Sequence, residues 1–327
     1  MKSSPEGLSD AELIAAVVEG WGIEVVGARY FPEGGGSYHW ILDAAAGTRY
    51  FITVDDLDHK AFLGAAPDTA FDGLRRALDT ATRLQNAGGL QFVLAPLQTG
   101  VGECVRRLSA HHAVAVYPFV AGTSGPFGEQ RTPDEREELI RMLARLHAAT
   151  GLVAATARTA AVELPNRQML AVCLDSIDRT WSGGPLSEPA RELLAGHAGQ
   201  VRLDLATFDG LATSVLRRAA VDPVITHGEM HAGNLIRSEA GLMLIDWDTS
   251  GMAVAERDLW MLEPTPGDLD LYTELSGRSV DLAAIEVYRS RWRLDDIATF
   301  ADELRGPHHD TADTRHALQS LASYFEA

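Results

Sequence analysis

The stretch Val224–Leu262, VITHGEMHAGNLIRSEAGLMLIDWDTSGMAVAERDLWML, decides how the chain is read. A short apolar strand, Val224–Thr226, runs into His227-Gly228-Glu229-Met230-His231-Ala232-Gly233-Asn234, where the two glycines argue for a loop rather than a helix. A hairpin follows, with strands Leu235–Arg237 and Leu242–Ile245 turning at Ser238–Gly241, and it delivers Asp246-Trp247-Asp248 at its open end. Pairing of these strands brings Asn234 and Asp246 close together. A carboxamide and a carboxylate there form an oxygen-rich site suited to Mg2+, a hard cation that completes its shell with water and phosphate oxygens. His227 and His231 around Glu229 read as H-x-E-x-H. That differs from the H-E-x-x-H spacing, which puts both histidines on one helix face for zinc.

Upstream the chain is rich in strands. Ser9 and Glu12 fit a capping box for a helix from Ser9 to about Gly20. Strand-like runs at Glu24–Phe31, Tyr38–Asp43 and Arg49–Val54 have short links and predict an antiparallel meander. A helix is expected over Thr69–Asn86, ending at Gly88-Gly89, and further strands at Phe92–Leu97, Glu103–Leu108 and Ala113–Phe119. The Gly- and Pro-rich segment Tyr117–Glu129 reads as a hinge. Thr132-Pro133-Asp134-Glu135 starts a helix expected to run to about Thr150. Beyond it, helices are expected near Gln168–Trp181, Glu188–Ala198, Leu203–Ala220, Asp281–Tyr288 and Thr311–Phe325. The resulting expectation is an α+β, bilobal chain. It has a sheet-rich N-lobe over 1–116, a hinge over 117–130 and a larger helical C-lobe over 131–327.

Composition excludes several classes. In 327 residues, Lys+Arg is 28 and Asp+Glu is 46, a net charge of −18 that repels nucleic-acid phosphates and anionic lipid. No apolar run is long enough for a membrane span, and the N-terminus lacks the apolar core of a signal peptide. Cys104 and Cys173 are too few for a disulfide framework and read as reduced, buried thiols. The expectation is therefore a cytoplasmic protein, monomer or homodimer, with no nucleic-acid or membrane partner.

Glu229 precedes Asn234 by the same five positions that separate Asp from Asn in the kinase catalytic loop, H-R-D-x-x-x-x-N, which a metal-binding Asp follows. HGEMHAGN at 227–234, LIDWD at 244–248 and ERDL at 256–259 resemble the aminoglycoside phosphotransferase family. ARLH at 144–147 and VYPF at 116–119 are weaker matches. The chain looks most like the spectinomycin-type phosphotransferases and related actinobacterial proteins. The resemblance implies a protein-kinase-like fold, ATP or GTP as co-substrate, Mg2+, and a small-molecule acceptor such as an antibiotic whose phosphorylation gives resistance. It makes Glu229 the catalytic base, His227 a loop-shaping residue, Asp258 a brace for the catalytic loop, and Asn234 and Asp246 the metal ligands. Tyr117 and Phe119 would lie against the adenine ring, and Gly34, Gly35, Gly36 and Ser37 would cover the phosphates. His231, Asp248 and Glu263 would face the acceptor, with Asp268, Asp270, Glu274, Asp295 and Asp296 adding negative charge.

The chain departs from the family at two positions. The usual catalytic Asp is Glu229. The lysine of the third strand, which grips the α- and β-phosphates, is replaced by Thr53. Lys2 and Lys60 are the only lysines in the chain. Lys60 either swings back to supply the missing charge, with Asp72 or Asp79 as partner, or is a solvated loop lysine. These departures leave open a pseudokinase that binds nucleotide without turnover, as well as a metabolic kinase of choline or homoserine type.

Overall fold

The computed structural model describes residue 5, residues 7–33 and residues 36–326, so the expected roles of Gly34 and Gly35 lie outside the described residues. The chain divides into two compact units, Met1–Ala160 with Pro223–Ser279, and Ala161–Asp222 with Val280–Ala327. The expected hinge at 117–130 falls inside the first unit.

In the first unit, helix α1 (Asp10–Trp21) begins with the capping box read from the sequence. The Ser9 hydroxyl accepts the Glu12 amide at 3.3 Å, and the Glu12 carboxylate accepts the Ser9 amide at 2.9 Å. The meander follows as β1 (Val25–Tyr30), β2 (Ser37–Ala44) and β3 (Arg49–Asp56), all antiparallel. Strands β4 (Arg106–Arg107) and β5 (His112–Pro118) complete a sheet of order β1-β2-β3-β5-β4. Alternation sorts the side chains onto two faces. Trp40, Leu42, Ile52, Val54, Val114 and Val116 pack with Leu13 and Val17 of α1 in the core. His39, Phe51, Thr53, Asp55 and Tyr117 therefore belong to the opposite face. Helix α2 (Pro67–Asn86) starts two residues before its expected position, with Pro67 in its first turn.

The strand expected at Phe92–Leu97 is not formed. Pro96 has no amide to give a ladder. Only Val93 bridges to Leu244, with Leu94 N–H donating to the Leu244 carbonyl at 3.0 Å. The hinge instead contributes a strand, β6 (Gly122–Ser124). Helix α3 (Pro133–Ala148) carries the Thr132–Glu135 capping box. Strand β7 (Val224–Thr226) pairs with β10 (Gly251–Ala253), which the sequence reading missed. The hairpin of β8 (Leu235–Ser238) and β9 (Gly241–Leu244) forms as expected, and β6 lies antiparallel along β8. Short helix α6 (Glu256–Leu259) and α7 (Pro266–Ser276), also missed, close this unit.

The second unit consists of α4 (Arg167–Asp175), α5 (Ser187–Val221), α8 (Leu282–Arg305) and α9 (Ala312–Ser323). The two helices expected at Glu188–Ala198 and Leu203–Ala220 are one helix of 35 residues. Gly199 does not break it. An interior glycine costs a helix about 1 kcal/mol, and burial of Leu194, Ala198, Val201 and Phe208 outweighs that. No helix among the described residues is long and apolar enough to cross a membrane.

Candidate active site

The site forms where β7, the catalytic loop and the β8–β9 hairpin meet. Ile245 N–H donates to the Asn234 carbonyl at 3.0 Å, so the hairpin's open end holds Asn234 next to Asp246. The Asn234 amide NH2 donates to the Glu229 carbonyl at 3.1 Å, which closes the loop on itself. The three residues read as catalytic base and metal ligands thus come together. Asp246 has φ +63°, a left-handed conformation that is costly for a residue with a β-carbon. Crowding by protein and the charges of Asp248 and Glu229 push its carboxyl well above the usual range. Asp246 is nonetheless exposed, so this is the desolvation of a crowded recess and not of a sealed interior. A carboxyl raised by neighbouring negative charge in this way suits a cation. The donor set also fits Mg2+, which takes few protein oxygens and keeps water and phosphate as its other ligands. Among the described residues no group of three or more His, Cys, Asp or Glu is arranged to hold a metal ion.

Asp258 holds the loop from beneath. It is fully buried, and its two carboxylate oxygens accept the His227 amide at 2.9 Å and the Gly228 amide at 2.6 Å. His147 Nε2 reaches Asp258 Oδ2 at 3.1 Å, and His147 Nδ1 reaches the Tyr272 hydroxyl at 2.7 Å. Despite burial, the hydrogen bond from His147 and the charges around it hold the Asp258 carboxyl below its usual range. His227 is locked as one tautomer. Its Nε2–H donates to the Ile245 carbonyl at 2.8 Å, and its Nδ1 accepts the Glu229 amide at 3.2 Å. Burial lowers its pKa, so it stays neutral and shapes the loop. Gly228 has φ +102°, and a β-carbon there would lie 2.1 Å from the Arg257 guanidinium. Arg257 is itself fixed on the Thr226 hydroxyl at 2.7 Å and the Thr249 carbonyl at 2.9 Å.

Lys60 is not a solvated loop lysine. It is 3% exposed, with its ammonium 2.9 Å from Asp55 and 2.5 Å from Asp248. Burial alone would lower its pKa. Asp248, Asp55 and Asp246 raise it instead, well above the ordinary lysine value. The partners expected for it are engaged elsewhere, since Asp72 and Asp79 both pair with Arg75 at 3.6 Å. Asp248, expected to face the acceptor, is thus the counter-ion of Lys60, and Arg158 donates to its backbone carbonyl at 3.1 Å.

The remaining expected residues divide. Ser37 is buried and donates to Asp55 at 2.7 Å, while Gly36 is exposed. Tyr117 pairs across the sheet with Phe51, and burial together with Asp55, Asp246 and Asp248 pushes its phenol well up. Phe119 lies under the Arg49 guanidinium at 4.1 Å. His231 Nε2 lies 4.0 Å from the Glu229 carboxylate, and its ring meets Phe127 edge-on at 5.3 Å. Burial drops the His231 pKa to about 4, so it is neutral. Glu263 is exposed, with φ +47°. Three acids expected at the acceptor are committed to structure. Asp268 caps α7 and pairs with Arg136 at 2.9 Å, Asp295 accepts the Asn166 amide at 3.1 Å, and Asp296 accepts the Tyr324 hydroxyl. A surface recess of about 590 Å3, lined by Asp134, Glu137, Arg141 and Met243 among others, contains none of the site residues. Sequence reading missed Asp55, Tyr272, Arg158 and Arg257. Asp55 had a visible signal, two positions after Thr53 on the same strand face, and Arg257 stood within the ERDL motif.

An antiparallel sheet, a linking strand and a mainly helical remainder, with a loop-and-hairpin acidic site, define the protein-kinase-like phosphotransferase class. Residues 41–296 match the phosphotransferase enzyme family (APH), and the chain belongs to that family of small-molecule phosphotransferases. Over 255 residues, 74% of either chain, it is 27% identical to Protein StrN of Streptomyces griseus. Its fold is similar to that of the spectinomycin phosphotransferase APH(9)-Ia, solved in complex with ADP and spectinomycin. The TM-score is 0.77 at 19% identity, covering 98% of this chain and 96% of that one. It is also similar to the amicoumacin kinase hAmiN, solved with AMP-PNP, Ca2+ and Ami. There the TM-score is 0.59 at 11% identity, covering 97% and 92%.

Proposed function

We propose that the protein transfers the terminal phosphoryl group of ATP or GTP, with Mg2+, to a hydroxyl of a small polyhydroxylated or amino compound such as an aminocyclitol antibiotic. The observation that carries this reading is the convergence of Glu229, Asn234 and Asp246 at the open end of the β8–β9 hairpin. Glu229 orients the acceptor hydroxyl and takes its proton. Its carboxylate is one methylene longer than the usual Asp, so the hydroxyl sits correspondingly further from the loop backbone. Asn234 and Asp246 hold the metal, which when bound neutralises and orients phosphate oxygens. Lys60 supplies the cation that Thr53 does not. Tyr117 and Phe119 line the nucleotide side, Gly36 and Ser37 lie on the phosphate side, and His231 and Glu263 face the acceptor. Catalysis of this kind is positioning plus electrostatics. The net charge of −18 and the exposed carboxylate of Glu263 favour an acceptor that carries an amine.

The test measures Mg·ATP and Mg·GTP binding and, separately, phosphorylated product over a panel of aminocyclitols, aminoglycosides, choline and homoserine. Asp246→Asn is expected to abolish Mg2+-dependent turnover, and unchanged activity refutes its metal role. Thr53 and Glu229 favour a second reading, a nucleotide-binding pseudokinase. Binding without product across the whole panel selects it.

A further inference from the structure

Lys60 lies just past the 3-10 turn Leu57–His59, yet its ammonium is held at 2.9 Å from Asp55 of β3 and at 2.5 Å from Asp248. Asp55 and Lys60 are each only 3% exposed, so each charge needs a charged partner there. An ammonium has three N–H donors. Asp248 takes one of them by hydrogen bond and Asp55 lies beside the ammonium as an ion-pair partner, which leaves donor capacity for an incoming phosphate oxygen. In kinase-like enzymes a helix glutamate holds the strand lysine. Here α2 supplies no such carboxylate, because Asp72 and Asp79 both pair with Arg75 of the same helix and Asp68 pairs with Arg107. Asp55 occupies the position two residues beyond Thr53, on the same face of β3. Its Oδ1, the atom that meets Lys60, also accepts the Ser37 hydroxyl at 2.7 Å, and Ser37 opens β2 directly after the glycine run.

We propose that Asp55 is the positioning residue for the phosphate-binding cation: it moves the lysine–carboxylate grip from strand and helix to strand and following loop, and it anchors Ser37, at the start of β2, to that grip. The proposal rests on the reading of Lys60 as the phosphate ligand, and its test separates the two. Loop residues cannot by themselves hold a lysine inside a recess. The buried carboxylate of β3 does so, because the sheet fixes it on both sides through pairs Ser37↔Asp55 and Asp55↔Ala113. Asp248 completes the grip and sets which way the ammonium faces.

The experiment titrates the full chain calorimetrically with Mg·ADP and with adenosine, which has no phosphate. Lys60→Met is expected to weaken Mg·ADP roughly 30-fold, the low end for truncating one partner of a buried charge pair, and to leave adenosine unchanged. Asp55→Asn is expected to weaken Mg·ADP about tenfold, again without touching adenosine, and the double variant to be no worse than Lys60→Met. If Asp55→Asn does not fold, Asp55→Glu, which keeps the charge but shifts the ammonium, is expected to weaken Mg·ADP several-fold with adenosine unchanged. A parent chain that binds neither compound sinks the nucleotide reading as a whole. Unaltered Mg·ADP affinity in Lys60→Met sinks the Lys60 reading and the proposal with it. Loss in Lys60→Met with none in the Asp55 variants, or losses that multiply in the double variant, overturns the role of Asp55 alone.

Discussion

Replacing Asp258 with Asn gives the sharpest test of how the catalytic loop is built. The carboxylate accepts three hydrogen bonds in a fully buried setting, from His227 N at 2.9 Å, Gly228 N at 2.6 Å and His147 Nε2 at 3.1 Å. Asn keeps one acceptor oxygen and turns an NH2 group toward at least one of these donors. One backbone amide is then left unsatisfied, at a cost of about 1–3 kcal/mol, and the remaining bonds lose their charge assistance. Together the loss is about 3–5 kcal/mol, the range for breaking a buried charged pair. At about 2–4 °C per kcal/mol for a unit of this size, the melting temperature falls by roughly 6–20 °C. Displacement of the loop by about an ångström also lowers kcat on the order of 100-fold. The pH dependence carries the same signature. The folded pKa of Asp258 lies below its unfolded value, so its contribution is present above about pH 4 and is lost as pH falls through the depressed value. Asp258→Asn should therefore flatten the acid limb of the stability curve. Thermal unfolding from pH 3 to 8, with and without the substitution, measures both effects. A variant that melts within a degree of the parent refutes the brace.

Gly228→Ala should be more damaging than any other single-methyl addition in the loop, because the added carbon meets Arg257 at 2.1 Å on a left-handed backbone. Turnover and melting point should both drop, and a near-normal variant would mean that Arg257 has room to move. Thr132→Ala removes the cap of α3 and should cost about 1 kcal/mol in urea unfolding with nucleotide affinity intact. In the second unit, burial raises the Asp296 pKa to about 6. The folded chain then binds more protons than the unfolded one, so stability declines as pH rises from about 4 to 6. Asp296→Asn should recover up to about 3 kcal/mol at pH 8 and little at pH 4. Equal effects at both pH values would contradict that sign.

Local chemistry was legible in the sequence wherever the determining residues are neighbours. Ser9 with Glu12, and Thr132 with Pro133 and Glu135, mark helix starts that form where read. The alternation in Tyr38–Asp43 and Arg49–Val54 yields the paired strands β2 and β3. The hairpin joining Asn234 to Asp246 follows from two apolar runs and a short turn. What was not legible depends on distant partners. Lys60 looks like any loop lysine until Asp248, 188 positions away, is placed beside it. Asp268, Asp295 and Asp296 look like free negative charge until Arg136, Asn166 and Tyr324 engage them. Glu188–Ala198 and Leu203–Ala220 look like two helices because the packing that joins them in α5 is not written in the residues between. The helix α7 is a different case, since Thr265, Pro266 and Asp268 carry the same start signal as α3 and could have been read.

The pairing of β6 along β8, and of Val93 against Leu244 on the other side, has a consequence for motion and for association. β6 covers the β8 flank of the hairpin that carries Asn234 and Asp246, and on the β9 flank the bridge at Leu244 covers the end nearest Asp246, so edge-to-edge joining of the kind short exposed ribbons undergo is blocked beside the site. The same flanking ties should slow deuterium uptake at the amides of Leu94 and Leu244 relative to that of Glu239 in the turn. The ribbon is thus held on both flanks at the end that carries Asn234 and Asp246, and on the β8 flank alone toward its turn.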